Sequence, residues 1–63
     1  MKLNRTVQRA LAVLSLVAKA SEGLTLSEMD AVLGIPKTSL FDVVSTLEHL
    51  HYLRRHGKKY YIG

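Results

Sequence analysis

The chain has no cysteine among its 63 residues. This excludes a disulfide framework and a thiolate metal site as supports for a small core, and it fits a reducing, cytoplasmic compartment. Acidic residues are few: five Asp and Glu stand against nine Lys and Arg, for a formal net charge of +4. That balance favours a polyanionic partner, nucleic acid first. Long apolar runs are missing too. The run from Ala10 to Ala18 falls well short of the roughly 20 residues a bilayer span needs, so no membrane partner is expected. With Lys2, Arg5 and Arg9 before it and Ala18-Lys19-Ala20 at its end, the run has the outline of a secretory signal. Cleavage after Ala20 would leave only about 43 residues, near the length at which chains rarely fold without disulfides, metal or a partner, which argues against that reading. Length also excludes a second core, since a chain this short buries only about 60% of the surface its unfolded form exposes.

What is present suffices for one packed domain. The apolar fraction of 48% and the charged fraction of 22% are those of a folding chain rather than a disordered one. From Val7 to Ala20, the residues Val7, Ala10, Leu11, Leu14, Val17 and Ala18 recur at spacings of three and four and predict a first helix. Val13, Leu16 and Ala20 lie beside this stripe, so the helix is apolar over more of its circumference than a monomer requires. Gly23 can supply the positive φ that closes a helix end. Thr25-Leu26-Ser27-Glu28 then has capping-box spacing and starts a second helix, with Leu26, Met29, Val32 and Leu33 inward and Gly34 at its end. After a tight turn at Ile35-Pro36, a third helix runs from about Pro36 to His49 with Leu40, Val43, Val44, Leu47 and Leu50 inward. Leu53 to His56 and Lys59 to Ile62 read as two short strands around Gly57-Lys58.

Two short helices joined by a glycine-containing turn match the helix-turn-helix unit, whose second helix enters the DNA major groove. The terminal hairpin makes it a winged helix-turn-helix, mainly α with a small two- or three-stranded wing, filling residues 1–63 as a single domain. A recognition helix needs an apolar side for anchorage and an opposite side of small donors and acceptors that allows close approach to bases. Thr38, Phe41, Asp42, Ser45 and His49 fall together on that side of the third helix, with Ser39 and Thr46 on a flank. Lys37 sits at the positive end of the helix dipole, where an ammonium and backbone N–H groups together suit a phosphate. Phe41 suits a thymine methyl, though an aromatic on the border of a face is expected to pack against a neighbouring element. Arg54, Arg55, Lys58 and Lys59 surround Gly57 and suit a phosphate backbone or the minor groove. Arg5 and Arg9 add phosphate contacts from the first helix, and Thr25 at the start of the second completes the DNA-facing set.

Other function classes find less support. No nucleophile, base and orienting group cluster together, so no enzyme is expected; Asp42 and Glu48 read as a solvated pair. His49 and His51 are two positions apart, on different sides of a helix end, and with His56 they do not form a metal set. No cofactor is expected. A protein-binding winged helix using Leu24, Phe41 or Tyr61 as apolar anchors is the alternative, and non-specific polyanion binding is a third reading.

The residues also resemble one family, the IclR-type bacterial transcription regulators, over nearly the whole chain. VQRALAVLSLV, Val7 to Val17, is similar to that family's opening helix, and GLTLSEMDAVLG, Gly23 to Gly34, to its scaffold helix. IPKTSLFDVVSTLEHLHYL, Ile35 to Leu53, resembles its proline-initiated recognition helix, and RRHGKKYYIG its wing. The resemblance implies a homodimer on a pseudo-palindromic operator, repressing or sometimes activating a promoter, with Lys37, Thr38, Ser39 and Phe41 facing DNA. Asp42 departs from the family, which commonly has a basic residue there. A carboxylate near phosphates costs binding unless it accepts from a cytosine amino group or a neighbouring cation. Tyr61 also replaces a frequent basic residue. Family members carry a longer C-terminal domain for a small-molecule effector, so a chain stopping at Gly63 is expected to be an excised DNA-binding domain, meeting effector only through that missing part. The wide apolar arc of the first helix would then meet a second subunit or the missing domain.

Overall fold

A computed structural model describes residues 1–63 and contains three helices followed by a hairpin: α1 (Arg5–Ala18), α2 (Leu26–Leu33), α3 (Lys37–His49), β1 (Leu53–His56) and β2 (Lys59–Ile62). This is a mainly helical winged helix-turn-helix. The strands pair antiparallel with Leu53 opposite Ile62 and Arg55 opposite Tyr60. Gly57, the first of the two turn residues, has φ +63°, as a type II′ hairpin turn requires. Leu24, between α1 and α2, adds a partial third strand. Its N–H donates to the Tyr60 carbonyl at 3.0 Å, and the Tyr60 N–H donates back at 2.8 Å.

Helix α1 starts two residues earlier than the apolar spacing predicts, because the Asn4 side chain accepts from the Val7 N–H at 3.0 Å and caps it. It ends at Ala18 rather than Ala20. Its buried face also differs. Val13 and Val17 are sealed in the core, with Ala10, Leu14 and Leu16 packed around them, whereas Val7 and Leu11 are 54% and 58% exposed. Apolar residues cover two adjoining faces of this helix, and periodicity cannot choose between them. Helix α2 has the expected capping box and ends on left-handed Gly34, but Val32 points to solvent, about 100° round the helix from Leu33.

Helix α3 begins at Lys37 with extended Pro36 as its cap, so the proline precedes the first turn instead of occupying it. Leu40, Val44 and Leu47 are buried, while Leu50, expected inward, is the C-terminal cap and is exposed. The helix ends in a Schellman motif: the His51 N–H donates to the Glu48 carbonyl and the Tyr52 N–H to that of Leu47, with His51 at φ +70°. One core joins all the elements: Val13, Val17, Met29, Ile35, Leu40, Val44, Leu47, Leu53 and Tyr60. No helix is long and apolar enough to cross a membrane.

Candidate nucleic-acid interface

Three core residues fix the roll of α3. With Leu40, Val44 and Leu47 turned inward, Thr38, Asp42, Ser45 and His49 lie within about 40° of the direction pointing straight away from Leu40. Thr38, Asp42 and His49 are exposed, and Ser45 is half-buried. Ser39 is half-buried on a flank. Thr46 is committed to its own helix, because its hydroxyl donates to the Asp42 carbonyl at 2.8 Å. No side chain caps the start of α3, so the first-turn N–H groups open outward beside Lys37. The Lys37 ammonium lies 3.5 Å from the Ser27 hydroxyl of α2, which ties the two helix starts together.

The wing closes one side of this surface. Alternation puts Leu53, Arg55 and Tyr60 on the hairpin face toward the helices, and Arg54, His56, Lys59 and Tyr61 on the other. Arg55 therefore reaches α3, where its guanidinium lies 4.0 Å from the Glu48 carboxylate. Arg54 stacks over the Tyr61 ring, 4.9 Å from its centre, in a cation–π arrangement. That ring also lies against Gly23, where a Cβ would come within 2.8 Å of it. Of the four wing cations, Lys58 and Lys59 alone carry no partner of either kind at the hairpin tip.

Electrostatics adds one shifted group. The Glu28 carboxyl is held below its usual value, first by the backbone N–H of Thr25, then by the Thr25 side chain, and lastly by the positive charge of Lys59; desolvation opposes them. The first of these is the Thr25 N–H donating to the Glu28 carboxylate at 2.8 Å; the Glu28 N–H donates in turn to the Thr25 hydroxyl at 3.2 Å and completes the capping box.

Thr25, Phe41, Arg55 and Lys58, four residues singled out from the sequence, line one cleft between the starts of α2 and α3 and the wing. Phe41 lines this cleft and is 52% exposed, so, contrary to expectation, it is not packed away against a neighbouring element. Thr38, Asp42 and Ser45 belong to the outer face of α3, whereas Lys37 lies at its start on the side toward Ser27 of α2. Arg9 sits apart, with Arg5, Gln8 and Gly34 around a depression beside the turn between α2 and α3. Asp42 and Glu48 do not form a pair: Asp42 borders Thr6 and Ala10 of α1, while Glu48 pairs with the wing. Glu48 and Ser27 are the residues that sequence reasoning missed, because each acts across elements and leaves no local spacing signal. Leu24 and Tyr61, considered as docking anchors, are engaged inside the domain, in the β-bridge and under Arg54.

Comparison with known proteins follows the same outline. Residues 6–57 match the model of the IclR helix-turn-helix domain, from the first turn of α1 to the wing turn. The chain is 42% identical over 52 residues to the HTH-type transcriptional regulator KipR of Bacillus subtilis (strain 168), an alignment covering 82% of this chain and 20% of that protein. The chain thus spans about a fifth of the length of that relative. No solved structure matches it.

Proposed function

We propose, from the premise that this chain belongs to the IclR helix-turn-helix family and serves DNA-binding transcription regulation, that it reads duplex DNA sequence-specifically. The outer face of α3 enters the major groove: Thr38, Asp42 and Ser45, with Ser39 and Phe41 on its flanks, meet base edges, and Lys37 with the open helix start meets a phosphate. Lys58 and Lys59 at the wing tip take a backbone or minor-groove position, with Arg55, Thr25 and Arg9 as further phosphate contacts. The observation that carries this reading is the cleft in which Phe41 of α3 adjoins Lys58 of the wing, beside a helix face of small polar groups.

The rest of the reading concerns the larger protein of which such domains are part. It is a homodimer that sets two winged domains on a pseudo-palindromic operator in the cytoplasm. Occupying a promoter represses it, with activation as the other output, and a small-molecule effector acts through a separate C-terminal domain. The exposed Val7 and Leu11 of α1 favour a protein contact on that side. The chain itself acts as a single binding unit, with no cofactor.

Selection from random duplex DNA, followed by titration of the enriched and scrambled sites at two salt concentrations, tests the proposal. An enriched sequence preferred over its scramble by more than about tenfold is the expected result, and an inverted repeat supports the dimer. Equal binding to every sequence, lost at moderate salt, overturns the proposal in favour of non-specific polyanion binding.

A further inference from the structure

Resting on the DNA-reading proposal above, we infer that Asp42 makes this domain select cytosine in its operator, by accepting a hydrogen bond from the exocyclic amino group in the major groove. Asp42 lies at the sixth position of α3, about 200° round the helix from Leu40, so it projects almost directly away from the core. Its carboxylate is exposed and makes no hydrogen bond or ion pair within the domain; the one ion pair is that of Arg55 with Glu48. It shares a depression with Thr6 and Ala10 of α1, and no Lys, Arg or His lies within ion-pair distance of it. Of the two ways a carboxylate can be tolerated near phosphates, pairing with a neighbouring cation is therefore missing.

What remains is a donor on the DNA. A carboxylate can only accept, and most of what the major groove offers also accepts: guanine O6 and N7, thymine O4, adenine N7 and the phosphates. The donors are the amino groups of cytosine and adenine. Adenine sets its amino group beside the N7 acceptor, which repels the second carboxylate oxygen, whereas cytosine sets its own beside an apolar C–H edge. Cytosine is thus the base that Asp42 fits.

The neighbours on α3 leave this role to Asp42. The helix contains no Arg, Asn or Gln, and the one other side chain that can read guanine with two hydrogen bonds, Lys37, sits at the helix start beside Ser27, where the proposal gives it a phosphate. The Thr38 and Ser45 hydroxyls both donate and accept, so they discriminate weakly. Glu48, the other carboxylate of the helix, is turned to Arg55. Asp42 is accordingly the acceptor-only group on the reading face, attracting one base and repelling the alternatives.

The test compares the wild-type chain with Asp42→Ala and Asp42→Asn. Titrations use the selected site and variants carrying each of the four base pairs at every position, and circular dichroism checks that the variants melt like the wild type. In the wild type, replacing one particular cytosine weakens binding about tenfold. In Asp42→Ala the four bases at that position bind within about twofold of one another, and scrambled DNA binds more tightly than to wild type. Asp42→Asn moves the preference toward adenine, which an amide reads with two hydrogen bonds. A wild-type site whose base profile is unchanged in Asp42→Ala overturns the assignment of Asp42 alone. A wild type that selects no site overturns the DNA-reading proposal and this inference with it.

Discussion

Helix α2 begins with the Glu28 N–H closed by the Thr25 hydroxyl and the Thr25 N–H by the Glu28 carboxylate, while α3 begins at Lys37, behind Pro36, with no side chain over its first-turn donors. Both helices anchor themselves through buried apolar residues, Met29 in one and Leu40, Val44 and Leu47 in the other. Their difference lies at the surface. The capping box satisfies α2 within the chain, as suits a scaffold. The open start of α3 leaves oriented N–H groups and the ammonium of Lys37 toward solvent, as suits contact with a phosphate. Burial sets where each helix sits, and the unsatisfied groups set which one is available to a partner.

The largest expected effects ignore this difference. Met29→Ala and Leu40→Ala each remove a side chain with no exposed surface, and each should cost about 3 kcal/mol in urea unfolding. If Leu40→Ala costs under about 1 kcal/mol, the packing that fixes the roll of α3 is not as described. Contrast returns at the surface. Thr38→Ala should leave stability within about 0.5 kcal/mol of wild type and weaken the selected site about tenfold while hardly changing the scramble. Lys58→Ala with Lys59→Ala should weaken every sequence and lower the slope of log affinity on log salt by about 2, roughly 1 per lost phosphate contact. Equal losses on all sequences for Thr38→Ala would remove it from the reading face.

Thr25→Ala isolates the scaffold half of the comparison. Losing the capping hydroxyl should cost about 1 kcal/mol of stability. Because the residue also faces the cleft beside the wing, DNA affinity should drop modestly and by the same factor on all sequences. A changed base profile for Thr25→Ala would mean that α2 reads bases too.

Local chemistry made much of the fold legible. The Thr25–Glu28 spacing, the glycines closing α2 and turning the hairpin, and the alternation around Gly57 each act within a few residues, and each element they imply is present. Relations between elements were less legible. The two apolar faces of α1 look alike in sequence, and Val13 is inside rather than Val7 because of what α3 and the wing present to it. Ile35, Leu53 and Tyr60 join the core through tertiary position, without a periodic run to announce them. For the candidate site, sequence grouped the outer residues of α3 on one face. It did not reveal that Arg55 is tied to Glu48 and Arg54 to Tyr61, since both pairings cross elements or strands and depend on which hairpin face turns inward.

The smallest effect probes the closed start of α2 through pH. The Glu28 carboxyl titrates below its usual value because the Thr25 N–H and side chain hold the charged form, with Lys59 helping. A carboxyl lowered in the folded state contributes stability that is fully present above its unfolded value, near 4.5, and is lost as pH falls through the lower folded value. Glu28→Gln keeps a neutral acceptor for the Thr25 N–H but cannot titrate. Wild type should therefore exceed Glu28→Gln in unfolding free energy at pH 7, and the gap should narrow from about pH 5 downward. Because Lys59 contributes the weakest of these lowering effects, Lys59→Ala should shrink the gap slightly without abolishing it. A gap that stays constant from pH 7 to pH 3 would mean the Glu28 charge adds nothing to the cap. The contrast between α2 and α3 would then rest on the Thr25 hydroxyl alone.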